Sequence, residues 1–127
     1  MGLEPGTVLD LTLPVWRTGE CLLHADRLAH RLGASAIQLM MRWTGLRGRV
    51  LGNPAGPAHP ARRIRQRYEA QRDEVITYLH VEPDHVGEDL PRLTRRLVEP
   101  LLESFDLFEP PEGFYEDELE RMRSGGR

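Results

Sequence analysis

Apolar and polar positions change their period several times along the chain, and each change marks an element boundary. Over residues 7–16, Leu9, Leu11, Leu13 and Val15 alternate with other residues and share one side of a pleat. That spacing predicts a strand with a face for burial. Pro14 has no N–H for a ladder and favours an edge position or the strand's end. The period then becomes helical. Leu22, Ala25, Ala29 and Leu32 recur at helical spacing, with Cys21 and Leu28 beside them and His24, Arg27 and Arg31 pointing elsewhere. With Thr18 as an N-cap, Glu20 at the positive end and Gly33 at the stop, this predicts an amphipathic helix over about residues 19–32.

Residues 36–44 read as a second strand. Gly45 and Gly48 punctuate a tight turn into a short third strand over residues 49–51, and the two strands are close enough to form a hairpin. The Gly/Pro-rich residues 52–60 are a loop on composition. Residues 61–72 fit two conformations. As a strand, Arg63, Arg65 and Arg67 share one face and Ile64, Gln66 and Tyr68 the other; as a helix, Ile64 pairs with Tyr68 one turn on. Residues 74–81, rich in β-branched and aromatic types, form a clearer strand. Asp89 is placed to cap a second helix, whose stripe is Leu90, Leu93, Leu97, Val98, Leu101, Leu102 and Phe105. Pro100 is expected to kink or break it near Glu99. After a connector at residues 107–113, Tyr115, Leu119 and Met122 mark one face of a short terminal helix. Residues 124–127 are expected to be a disordered tail. The sum is one α+β domain over residues 1–123. It has an antiparallel or mixed sheet of about four strands, two main helices on one face and a short C-terminal helix.

Composition sharpens this in two ways. At 127 residues, with 39% hydrophobic and 29% charged side chains, the chain suits a single packed domain rather than wholesale disorder. It has one cysteine and therefore no internal disulfide, no apolar run long enough for a membrane span and no pattern of a secretory signal, so a cytoplasmic setting is expected. Charge, however, is sorted by position. Residues 27–68 hold nine arginines and no Asp or Glu, whereas residues 69–127 hold sixteen acids against seven arginines. The net charge of −3 conceals blocks of −3, +9 and −9. All seventeen basic residues are Arg, so every cation is a planar, permanently charged donor fork and no Schiff-base amine exists. Packing the acidic helices over the basic strands, within one chain or between subunits, would neutralise both blocks.

Candidate chemistry is sparse. Cys21, in the first turn of the predicted helix and followed by His24, has the makings of an activated thiolate; a small hydrophobe on a core helix is the plainer account. His80, Glu82, Asp84 and His85 offer metal ligands along a strand end, but without the paired spacing of structural zinc sites. No glycine pattern fits a phosphate-binding loop and there is no nucleophile elbow, so no catalytic constellation, cofactor or metal site is expected. For nucleic acid, Arg62, Arg63, Arg65 and Arg67 would meet phosphates, and Tyr68, Trp43 or His59 would stack a base. A pI near 5.9 is not the usual electrostatic footprint of such a protein. Arg42, Trp43, Arg47 and Arg49 form an Arg/Trp group at the predicted hairpin, the composition of interface hot spots. The di-glycine at Gly125 and Gly126 lacks a ubiquitin-like strand pattern around it.

Three segments read together carry a resemblance. They are Leu13-Pro14-Val15-Trp16-Arg17-Thr18-Gly19-Glu20-Cys21, Arg42-Trp43-Thr44-Gly45-Leu46-Arg47-Gly48-Arg49 and Leu101-Leu102-Glu103-Ser104-Phe105-Asp106-Leu107-Phe108-Glu109-Pro110-Pro111. The chain from about Leu11 to Met122 resembles the C-terminal region of bacterial proteins whose N-terminal part is a Schlafen-like, AlbA-type DNA-binding domain. The resemblance implies a non-catalytic role in regulation, ligand sensing or dimerisation beside a DNA-binding module. It implies homo-oligomers or a partner protein, with nucleic acid contacted elsewhere in a longer protein. It supplies no catalytic residues. The alternative is direct nucleic-acid binding through Arg62, Arg63, Arg65, Arg67 and Tyr68.

Overall fold

A computed structural model describes residues 8–52, 68–107 and 110–125. Strand β1 (Val8–Asp10) leads at once into helix α1 (Thr12–Leu32), followed by β2 (Ile37–Trp43), β3 (Val50–Gly52) and β4 (Val75–Val81). A 3₁₀ turn (Pro83–His85), helix α2 (Leu90–Glu103) and helix α3 (Phe114–Arg123) complete the chain. Among the described residues the class is α+β, with three helices.

The alternating segment at the N-terminus is a strand for only three residues. From Thr12 onward it is helix, and the expected Thr18 cap lies inside α1 with its side chain buried. Two periods coincide here. Leu11 and Val15 are four apart, which satisfies a pleat and a helical turn alike. Burial decides between them: Leu11, Val15, Thr18 and Leu22 are buried, while Leu13, a core residue of the strand reading, is 40% exposed. Asp10 helps start the helix, its Oδ1 accepting from the Thr12 N–H at 2.8 Å and from the Thr12 hydroxyl at 2.7 Å. Pro14 sits in the first turn, where a missing N–H costs nothing. At the other end Gly33 adopts φ 67°, the Gly33 N–H bonds to the His30 carbonyl, and the Ala34 N–H bonds to the Ala29 carbonyl. This is the double bond of a left-handed helix stop, as expected for Gly33.

The sheet is not one four-stranded unit. β2 and β4 form an antiparallel ribbon from Ile37↔Val81 to Trp43↔Val75. β1 and β3 form a separate parallel pair, Val8↔Val50 to Asp10↔Gly52. The expected β2–β3 hairpin is therefore absent among the described residues. After β2 the chain turns inward: Leu46 is buried and its N–H bonds to the Asp73 carbonyl, which carries β3 away from β2 and onto β1. Of the ambiguous residues 61–72, those from 68 onward are described, and Tyr68 to Ala70 run extended beside β3. The Leu51 N–H bonds to the Tyr68 carbonyl, and the Ala70 N–H bonds to the Arg49 carbonyl.

Helix α2 carries the strongest stripe and packs on both α1 and β4. Leu93, Leu97, Val98, Leu101, Leu102 and, just past its end, Phe105 are each at most 2% exposed. The helix does not break at Pro100 but runs on to Glu103. A proline removes only its own N–H bond and crowds the preceding turn, so in the last turn of a helix its effect is local. Helix α3 packs on α1 at Gly19. A Cβ there would lie 2.5 Å from Leu119 Cδ2 and 3.1 Å from Met122 Sδ, so the close approach depends on the missing side chain. Past α3, the Ser124 N–H bonds to the Glu120 carbonyl and the Gly125 N–H to the Met122 carbonyl, so these two residues continue the helix's bonding.

Candidate interface on the β2–β4 ribbon

The two strands of the ribbon have the same length and alternation but different cover. On β4 the inward residues Val75, Thr77, Leu79 and Val81 are all buried. On β2 only Ile37 is buried, and Leu39, Met41 and Trp43 are half-buried. The reason is the position of α2, which packs on β4 and leaves β2 at the margin of the helical layer. The outward face is open on both strands. Met40 (55% exposed) pairs with Tyr78 (71%), and Ile76 (40%) pairs with Arg42. At one end of this patch the Gln38 amide meets the His80 Nδ1 at 3.4 Å. At the other the Arg42 Nε–H donates to Glu74 Oε2 at 2.7 Å. Among the described residues, β4 is the strand paired with β2, and no other described strand pairs with the second edge of β2.

The Arg/Trp group expected at a hairpin is distributed over this region rather than gathered. Arg42 lies on the outward face, tied to Glu74, while Trp43 lies on the inward face against the core. Arg47 is exposed in the following turn, with its backbone N–H on Asp73 Oδ1 at 3.3 Å. Arg49 is half-buried beside β3. Arg62, Arg63, Arg65, Arg67 and His59 lie outside the described residues. Tyr68 is half-buried and packed against the core. Among the described arginines of the basic block, Arg42 pairs with Glu74 of the acidic block, on the strand flank. Several arginines of those helices bond locally, Arg92 to Asp89 and Arg95 to Glu99.

Cys21 and His24 change meaning with the helix boundary. Because α1 starts at Thr12, Cys21 is more than two turns inside it, away from the positive end, and exposed. It is neither a first-turn thiolate nor a core hydrophobe. His80, Glu82, Asp84 and His85 also disperse. His80 faces Gln38, His85 Nε2 lies 3.5 Å from Glu82, and Asp84 Oδ1 meets His30 Nε2 at 3.0 Å. Among the described residues no group of three His, Cys, Asp or Glu side chains is gathered for a metal ion, and no helix is long and apolar enough to cross a membrane. His30 also contacts the Asp26 carbonyl through Nδ1 at 2.8 Å. That backbone acceptor first, and then Asp84, favour the doubly protonated ring and raise its pKa above the usual 6.5.

Two further features escaped the sequence. Glu118, on the apolar face of α3, is 1% exposed; its Oε1 accepts from the Trp16 indole N–H at 3.0 Å and its Oε2 from Arg121 at 3.3 Å. Its only sequence signal is its place between Tyr115 and Leu119. The Tyr115 hydroxyl is buried, and burial pushes its pKa well above the ordinary range. Beside it, the first turns of α2 and residues 110–116 enclose an open groove of about 810 Å³, rimmed by Arg92, Arg95, Glu88 and Glu116. No family model, curated protein or solved structure matches the chain.

Proposed function

We propose that this is a non-catalytic assembly domain, a module through which chains associate. The observation behind the reading is the incomplete cover of β2: Leu39, Met41 and Trp43 half-buried on one face and Met40 open on the other. An edge strand exposes unpaired N–H and C=O groups. Proteins that remain monomeric blunt such edges with charges, proline, bulges or a covering element. β2 contains no proline, no acid and one cation, Arg42, which is already paired with Glu74. The dispersal of His80, Glu82, Asp84 and His85 supports a role without a metal centre. The resemblance to the partner region of Schlafen-like, AlbA-type DNA-binding proteins supports a bacterial, DNA-associated or defence-related setting. In that setting nucleic acid is contacted by another domain and this one brings copies together.

Size-exclusion chromatography with light scattering tests the reading. The expected mass is that of two chains, falling toward one on dilution. A strict monomer at the highest soluble concentration overturns it.

A further inference from the structure

The sequence of β2 is close to self-complementary about its centre, and this identifies an occupant for its open edge. Reading outward from Met40, the strand has Leu39 and Met41, then Gln38 and Arg42, then Ile37 and Trp43. Antiparallel pairing with a second β2, Met40 opposite Met40, sets Leu39 against Met41 and Ile37 against Trp43 on the inward face. Each half-buried apolar side chain thereby gains an apolar neighbour. On the outward face the ribbon's own register joins Met40 to Tyr78. The central row then becomes Tyr78–Met40–Met40–Tyr78, flanked by rows in which Arg42 faces the neutral Gln38 of the other copy. The two Arg42 side chains would stand about 13 Å apart along the strands, beyond the Debye length at physiological salt. A parallel, in-register pairing would join opposite edges of the two strands, and one edge of β2 is already bonded to β4. The remaining edge thus selects the antiparallel arrangement. That arrangement is isologous and closes at two copies. The edge of β4 is the weaker candidate, because its inward residues are already covered by α2 and pairing there would bury no further apolar surface on that side.

We infer that a second copy of this chain pairs with β2, antiparallel and centred on Met40, joining two ribbons into one four-stranded sheet in the order β4–β2–β2–β4. The inference rests on the assembly reading and specifies its geometry. Both outward positions used to test it, Met40 and Tyr78, are exposed and tolerate substitution without disturbing the core.

In a Cys21→Ser background, which removes the exposed native thiol, Met40→Cys and Tyr78→Cys proteins are oxidised gently and run on non-reducing gels. Opposed Cα atoms at the centre of an antiparallel pair lie about 4.5–5.5 Å apart, within disulfide range, whereas the two Tyr78 positions would be about 14 Å apart. A covalent dimer from Met40→Cys and none from Tyr78→Cys is the expected result. A mixture of Gln38→Cys and Arg42→Cys proteins should cross-link to each other rather than to themselves, which separates antiparallel from parallel pairing. Nitroxide labels at positions 40 and 78 report the same two separations without bond formation. A dimer by light scattering that links through position 78, through neither position, or with Gln38→Cys to itself overturns this geometry and leaves the assembly reading standing. A strict monomer, as a partner of another kind or a segment of the same chain on β2 would give, overturns both.

Discussion

β2 and β4 have the same length, the same pleat and mutual hydrogen bonds, yet one is a core strand and the other is half a core strand. The inward residues of β4 are between 4% and 9% exposed; those of β2, apart from Ile37, are only half-buried. Neither strand's composition explains this, since Leu39, Met41 and Trp43 are at least as apolar as Val75, Thr77 and Val81. Where α2 lies explains it. Burial in a two-layer domain goes to the strand beneath the helix, and the strand at the margin keeps apolar surface for something else. Apolar surface at such a margin, with an unblunted edge, is what the proposed association would use.

Cavity formation gives the widest test of that contrast. Leu79→Ala should cost about 2–4 kcal/mol in urea denaturation, because a buried leucine loses both transfer energy and its packing neighbours. Leu39→Ala, one rung across on β2, should cost less than half as much when the protein is dilute, and more when it is concentrated enough to associate. Equal costs at every concentration would erase the distinction between the strands. A smaller effect of opposite sign is expected at Thr77, whose buried hydroxyl has no hydrogen-bond partner among the described residues. Thr77→Val should stabilise by about 1 kcal/mol, since a buried unsatisfied hydroxyl carries a desolvation cost that a methyl does not; calorimetry would show a higher Tm.

The outward face should respond more weakly still. Arg42→Gln removes an ion pair whose side chains are 58% and 40% exposed, so its loss should cost well under 1 kcal/mol in the isolated chain and fade with added salt. The smallest effect is a pH dependence at the far end of β4, where His30 ties α1 to the turn carrying Asp84. Its pKa is raised on folding, so its contribution is fully present below the unfolded value near 6.5 and is lost as pH rises through the folded value. Stability should thus decline slightly from pH 6 upward. His30→Gln should flatten that slope, with NMR titration of the ring giving a folded pKa above 6.5.

How far the sequence speaks depends on whether one period or two fit a segment. β4 and α2 were legible because only one period accounts for each. Residues 11–15 were not, because Leu11 and Val15 satisfy both a strand and a helix, and the choice is made by α2 and α3 packing against that face. Nearness along the chain suggests a β2–β3 hairpin, but Leu46 is drawn into the core and β3 pairs with β1. Loop chemistry allows a hairpin without requiring it.

The residues of the proposed interface divide in the same way. Arg42 and Trp43 were visible as an attractive composition, and alternation alone places them on opposite faces of one strand. Met40 and Tyr78, thirty-eight positions apart, meet only through the ribbon's register. By itself, then, the sequence determined the local periods, the Gly33 stop, the sorted charge and the near-symmetry of β2, since these depend on residues within a few positions of one another. Which strand lies beneath α2, which cations find carboxylates and which apolar side chains remain half-covered were decided by the tertiary structure. Burial and pairing depend on elements far apart in the chain, and a segment's own pattern does not carry that information.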